Sequence, residues 1–231
     1  MILPEPLFSG KLIQRYKRFL ADIELETGEI ITAHCANPGS MIGLLQNGSQ
    51  VLVSKSQDPK RKFPFSWELI KIGETWVVVN TANTNRVIHE ALLKNQIPEL
   101  IGYSEIRPEA VWGDHTRFDF LLRKESDQCF VEVKNVTLAE NIIALFPDSI
   151  TQRGTKHLNE LMKVVRKGHR AVMCFLVSRE DCQLFKPAAH IDLVYSETLR
   201  KAQENGVEVL VYQAKISPPQ ITVDYPLKFE L

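Results

Sequence analysis

Glu132 and Lys134 stand two residues apart in Phe130-Val131-Glu132-Val133-Lys134. Side chains alternate across a strand. If this segment is extended, the acid and the amine share one face while Val131 and Val133 turn to the other. A second apolar segment, Arg117 to Leu122, precedes it, and the polar stretch Arg123 to Gln128 reads as a hairpin loop. Symmetric pairing sets 122 opposite 129, and therefore 119 opposite 132. Asp119 and Glu132 would then be cross-strand neighbours, about 5 Å apart at Cβ. Two carboxylates that close repel, and a divalent cation is the simplest offset. Hard cations such as Mg²⁺ take one or two carboxylate oxygens and complete their shell with water. Lys134 is placed to orient or deprotonate a water, or to stabilise charge on a phosphate. Asp119, Glu132 and Lys134 are therefore the candidate catalytic set, Mg²⁺ or Mn²⁺ the expected ion, and phosphodiester hydrolysis the chemistry. The same Glu-x-Lys spacing also describes a solvated charge pair on an ordinary strand.

Glu90 is a further candidate ligand, on an expected helix over 86–95 beside the apolar positions Val87, Ile88, Ala91 and Leu92. A basic helix over 151–167 follows the acidic hairpin. Arg153, Lys156, Lys163 and Lys167 recur on one face of it, with Glu160 the single acid, against a stripe of Leu158, Leu161, Met162 and Val165. That ridge suits phosphates, with His157 as an additional phosphate contact; a solvated basic face and a surface histidine fit the same spacing. Near the start, Lys11, Arg15, Lys17 and Arg18 surround Tyr16 and Phe19, and Lys60, Arg61 and Lys62 precede Phe63, Phe65 and Trp67. Basic residues interleaved with aromatics suit a nucleic-acid groove, although the same aromatics fit a core. Arg15, Lys17, Arg18, Arg153, Lys156, His157, Lys163 and Lys167 are the candidate contacts to nucleic acid.

The elements that would carry these residues change character along the chain. Segments 18–25, 29–34, 50–54, 66–72 and 76–80 read as short strands separated by turn residues. About five short strands in that length suggest a small barrel such as an OB-fold; a β-sandwich fits the pattern equally. From about Ala82 the reading is α/β. The helix over 86–95 and the two strands 117–122 and 129–136 are followed by the basic helix. A nearly all-apolar strand, 171–177, comes next and looks buried on both faces, before a helix near 196–205 and a strand near 207–213. The expected fold class is α+β with two domains, a small barrel over 1–84 and an α/β domain over 85–231.

Bulk composition leaves these readings standing. The 231 residues are 44% hydrophobic and 24% charged, with 28 basic and 28 acidic side chains and no formal net charge. Any nucleic-acid surface must then be a local patch. Cys35, Cys129, Cys174 and Cys182 show no CxxC spacing and read as reduced thiols, as expected of a cytoplasmic protein. No run approaches the roughly 18 apolar residues of a membrane helix. His34 and Cys35 lack further ligands at zinc spacing, and there is neither GxGxxG nor GxxxxGK[ST], so no nucleotide cofactor is expected.

Four blocks together resemble a known family. These are His34-Cys35-Ala36-Asn37-Pro38-Gly39-Ser40-Met41, Arg117-Phe118-Asp119-Phe120-Leu121-Leu122, Glu132-Val133-Lys134-Asn135-Val136-Thr137, and Phe146-Pro147-Asp148 with Arg153-Gly154 and Lys156-His157-Leu158. In this order, across essentially the whole chain, they resemble the sugar fermentation stimulation protein A family. The first block departs from the family's usual Pro and Thr, having Ala36 and Pro38 around Asn37. The resemblance implies an N-terminal OB-like domain and a C-terminal restriction-endonuclease-like domain of the PD-(D/E)xK type. Asp119, Glu132 and Lys134 would fall on its acidic and lysine positions, and Glu90 on the extra helix acid. It also implies DNA binding without clear sequence preference and a link to regulation of sugar metabolism. A non-catalytic DNA-binding regulator and a nuclease acting on RNA remain the alternatives.

Overall fold

Five strands close on themselves at the start of the chain: β1 (Leu7–Tyr16), β2 (Leu20–Leu25), β3 (Ile30–His34), β4 (Gln50–Lys55) and β5 (Phe65–Ile72). In this computed structural model, which describes residues 1–113 and 116–231, β1 pairs antiparallel with both β2 and β4. β2 pairs with β3, β4 with β5, and β3 meets β5 in parallel, closing the ring. That connectivity is an OB-type barrel, and closure removes the sheet edges a sandwich would leave. A sixth strand, β6 (Thr75–Val78), extends β5 through a hairpin. The interior is filled by Leu12, Ile23, Val51, Val53, Phe65 and Trp67, so Phe65 and Trp67 are core rather than a stacking surface. The barrel strand that the sequence pattern misses is β1. Its alternation breaks where pairing with β2 shifts between Leu12 and Gln14.

The rest of the chain runs α1 (Ala82–Leu93), β7 (Glu105–Trp112), β8 (Thr116–Lys124), β9 (Asp127–Val136), β10 (Leu138–Glu140), β11 (Ile143–Phe146), α2 (Gln152–Arg166), β12 (Arg170–Val177), β13 (Leu184–Pro187), α3 (Leu193–Glu204), β14 (Glu208–Ser217), β15 (Gln220–Pro226) and β16 (Lys228–Phe229). Its main sheet has the order β15-β14-β12-β9-β8-β7, with a small second sheet β10-β11-β13-β16. Here the sequence pattern also misses β7 and β15 and the short strands β10, β11, β13 and β16. β12 lies between β9 and β14, parallel to both. Its residues from Ala171 to Val177 are all buried, as its apolar run requires. Val87, Ile88, Ala91 and Leu92 of α1 cover one face of the sheet, against Phe120, Val131 and Val133. Leu158, Leu161 and Met162 of α2 and Leu199 of α3 cover the other, with Phe118, Leu121 and Phe130. Thr151 caps α2 by accepting from the Gly154 amide, and Asp192 caps α3 by accepting from the Tyr195 amide; each such cap stabilises its helix by about 1 kcal/mol. No helix among the described residues is long and apolar enough to cross a membrane.

Several boundaries differ from the sequence reading; α3, for one, begins at Leu193 rather than near 196. Helix α1 begins at Ala82, four residues before the expected start. The first residues of the chain leave the barrel altogether: Leu3 donates to Pro219, Ile221 donates to Met1, and Ile2 bridges Gln220. Met1 and Leu3 are buried in the core between α1 and the main sheet. Residues 1–3 therefore pack with the second domain rather than with the first, where a single cut at 84 would leave them.

Candidate active site

The hairpin β8–β9 positions the acidic residues. Its turn is only Glu125-Ser126, so Leu122 lies opposite Cys129 and the ladder runs to Phe120 opposite Val131. One step further the strand changes face. Phe118 packs with the α2 side of the sheet and Phe120 with the α1 side, although two residues on a regular strand would share a face. Asp119 lies at this break, and Glu109 on the adjoining β7, between the pairs Pro108–Phe120 and Ala110–Phe118, has φ of 54°. The Asp119 carboxylate takes over the end of the ladder. Its Oδ2 accepts the Val133 amide at 2.7 Å and its Oδ1 accepts Asn85 Nδ2 of α1 at 2.7 Å.

Glu132 is only 2% exposed. Its Oε1 is bonded by both Lys134 Nζ and His157 Nδ1. Its Oε2 is buried and has no hydrogen-bond partner among the described residues. A buried oxygen left so costs about 1–3 kcal/mol, more if charged. Burial alone would push Glu132 up, but the bonds from His157 and Lys134 outweigh it and hold the carboxyl below its usual range. Asp119 goes the other way: burial, then the charge on Glu132, raise it, against the Val133 amide, Lys134 and Asn85. The two acids thus differ in proton affinity because the direct bonds from Lys134 and His157 fall on Glu132.

These residues line a cleft of about 510 Å³ between the domains. The barrel contributes Arg18 and the loop Asn37-Pro38-Gly39. The second domain contributes Thr84, Asn85, Asp119, Glu132, Lys134, the turn Asp148 to Thr151, and Arg153. Arg15 donates to the carbonyls of Arg18, Asn37 and Gly39, and Arg18 donates twice to that of Pro38. Asn37 closes the loop by accepting the Gly39 amide. The loop is fastened across the cleft, where Asp148 Oδ2 accepts the Met41 amide at 2.9 Å.

Asp119, Glu132 and Lys134 are thus together, but several other candidates are not with them. Glu90 is held by Lys94 and the Met1 ammonium, which push it down to about 2, and it does not reach the acidic pair. Asn85, five residues earlier on the same helix, faces Asp119 instead. His157 is buried against Glu132 rather than offered to a phosphate. The basic ridge is dispersed, since α2 rises about 1.5 Å per residue. Arg153 lines the cleft and Lys156 is exposed on the same first turns, whereas Lys163 pairs with Glu160 and Lys167 lies over the Trp112 ring at 5.1 Å. Arg15 is spent on the loop, Lys17 is exposed on the hairpin tip, and Arg18 both braces the loop and lines the cleft. His157 was legible: positions 154, 157, 158 and 161 form one helical stripe that the structure buries. Asn85 was not, because the expected helix began after it.

Among the described residues, no group of three or more His, Cys, Asp or Glu side chains is gathered as a metal site. Asp119 and the unpartnered Glu132 Oε2 nevertheless fit an ion that takes few protein oxygens and keeps its waters, as Mg²⁺ does.

A family model for the sugar fermentation stimulation protein RE domain matches residues 82–220, and a model for the family's N-terminal OB domain matches 13–79. The chain belongs to the sugar fermentation stimulation protein family. A homologue from Citrifermentans bemidjiense is 50% identical over 227 residues, 98% of each chain. One from Geotalea uraniireducens is 51% identical over 223 residues, 96% of each. The solved structure of the Pyrococcus furiosus family member in complex with Ca²⁺ superposes with a TM-score of 0.91 at 26% identity, covering 100% of both chains. The barrel and the α/β unit described above are the OB and RE domains of this family.

Proposed function

We propose that the protein binds DNA, without marked sequence preference, and hydrolyses its phosphodiester bonds in the interdomain cleft with the help of Mg²⁺ or Mn²⁺. The observation that carries this reading is Glu132: a buried carboxylate near Asp119, with one oxygen bonded by Lys134 and His157 and the other without a hydrogen-bond partner among the described residues. Asp119 and Glu132 would hold the ion, which when bound supplies Lewis-acid activation of the phosphate and of water. Asn85 and the Val133 amide fix the Asp119 carboxylate. His157 and Lys134 fix Glu132. Lys134, 17% exposed at the cleft wall, is positioned to balance charge that develops on the phosphate. Arg18 and Arg153 face the cleft from opposite domains and suit the flanking phosphates. The Ca²⁺ held by the P. furiosus relative supports a divalent ion in this family.

The test is cleavage of single- and double-stranded DNA and of RNA by purified protein with Mg²⁺ or Mn²⁺, beside Asp119→Ala and Glu132→Ala. Cleavage that both substitutions abolish is expected. Intact binding with no substrate ever cut would sink the enzymatic reading. It would leave a DNA-binding regulator, a reading favoured by the lack of a third ligating side chain beside the acidic pair among the described residues. DNA affinity should fall steeply with salt, because phosphate contacts release counterions. A role in regulating sugar metabolism is proposed on the family name alone.

A further inference from the structure

The β1–β2 hairpin ends in a three-residue turn that glycine would ordinarily serve. Lys17 and Arg18 have φ of 47° and 65°, a left-handed conformation that side chains bearing Cβ avoid. Such strain is a reason to ask what the turn does. It sends Arg18 into the cleft and leaves Phe19 outside the barrel core, 43% exposed. Phe19 does not project alone. Its ring lies 6.5 Å from that of His34 on β3 with the planes only 19° apart, and the Arg18 guanidinium is 5.6 Å from its centroid. Burial, and then the charge of Arg61, hold His34 below its usual range, so it backs Phe19 as a neutral ring at neutral pH.

We propose that Phe19, backed by His34 and flanked by Arg18, is a stacking subsite for an unpaired nucleobase, so that the strand reaching the cleft is single-stranded. This rests on the nucleic-acid reading of the cleft and narrows its substrate. The complementarity is twofold. The Arg18 guanidinium on the exposed ring, with Lys17 beside it in the turn and the charge of Arg61 acting on His34, suits a polyanion, and the ring itself suits a flat apolar face. A duplex offers the phosphates but keeps its base faces stacked inside; only an unpaired strand offers both. Arg18 belongs to both places, touching Phe19 and lining the cleft, so a phosphate beside the stacked base would lie on the way to Glu132. Among the other aromatics, Phe65 and Trp67 are buried in the barrel core.

The experiment uses the full chain in EDTA, where no cutting interferes. An oligonucleotide carrying one 2-aminopurine is titrated as single-stranded DNA, as the RNA of the same sequence, and as the DNA duplex. The expected result is quenching of 2-aminopurine by a single strand, DNA or RNA, and weaker binding of the duplex at equal salt. Phe19→Trp should keep the quenching. Phe19→Leu, which keeps the apolar contact with His34 and removes the π-face, should lose it and weaken single-strand affinity about 5- to 150-fold. The idea is overturned if duplex binds as tightly as single strand, or if Phe19→Leu, folded by circular dichroism, quenches and binds as the parent does. The two readings fail separately. Quenching that depends on Phe19 in a protein that never cuts sinks the nuclease reading alone. Cutting that is indifferent to Phe19→Leu, with quenching unchanged, sinks the stacking subsite alone.

Discussion

Asp119 is the residue at which stability and function pull apart. Its folded-state pKa is raised by burial and by the charge on Glu132. Between the ordinary aspartate value and that raised value, the folded state binds the extra proton, so stability falls as pH rises through the window. A negative charge on Asp119 is therefore one that the ion-free fold disfavours. Asp119→Asn removes it while keeping an oxygen for the Val133 amide, and Asn85 can turn its own amide to keep the second bond. The ion-free variant should be more stable by on the order of 1 kcal/mol, which in a chain of this size is about 2–4 °C in scanning calorimetry. Mn²⁺ binding, measured by titration calorimetry, should be lost. A lowered midpoint would show that the carboxylate is not a burden in the ion-free site. Glu132 has the opposite sign. Its depressed pKa contributes stability that is present above its ordinary value and is lost as pH falls through the folded value.

At the scale of elements, the loop from Asn37 to Met41 couples the two sides of the cleft. A Cβ on Gly39 would lie 2.4 Å from Asp148 Oδ2 and 2.6 Å from Oδ1. Gly39→Ala must therefore move the loop or turn the Asp148 carboxylate away from the Met41 amide, at a cost of about 1–3 kcal/mol. Asp148→Ala removes the same contact from the other side. A double-mutant cycle on thermal stability should show the two losses to be non-additive, because they report one contact; simple additivity would place the effects elsewhere. Helix α2 shows how an element can be read correctly and its residues misassigned. Its span matches the sequence reading to within a residue at each end, yet the ridge of Arg153, Lys156, Lys163 and Lys167 is unevenly partnered: Arg153 lines the cleft, while Lys163 pairs with Glu160 and Lys167 lies over Trp112.

For the whole molecule, the two domains are fastened by more than the covalent link. Glu68 of β5, itself buried, accepts from Ser54 in the barrel and from Asn80 and Asn83 at the entry to α1. Val78 of β6 donates to the carbonyl of Ser178, just beyond β12. Residues 1–3 return from the barrel to lie beside β15. We therefore expect Leu3→Ala to act on the RE domain. Leu3 is 1% exposed in the core that includes α1, so its truncation should cost about 2–5 kcal/mol. Hydrogen exchange should show protection lost first along β14 and β15. Loss confined to the barrel strands would contradict this division of the chain.

Alternation by itself placed Glu132 and Lys134 on one face and Val131 and Val133 on the other, because strand parity is local. The short polar turn likewise set Leu122 opposite Cys129, since a tight hairpin leaves few registers. What local pattern does not contain is which residue of a helix meets which residue of a sheet. Val87, Ile88, Ala91 and Leu92 fix how α1 sits on the sheet. That seating, with a helix start at Ala82, brings Asn85 to Asp119 and leaves Glu90 with Lys94 and Met1. Packing likewise turned His157 inward to Glu132, and barrel closure carried Arg18 and the Asn37–Gly39 loop to the far wall of the cleft. Those contacts join residues tens of positions apart, and only the folded chain brings them together.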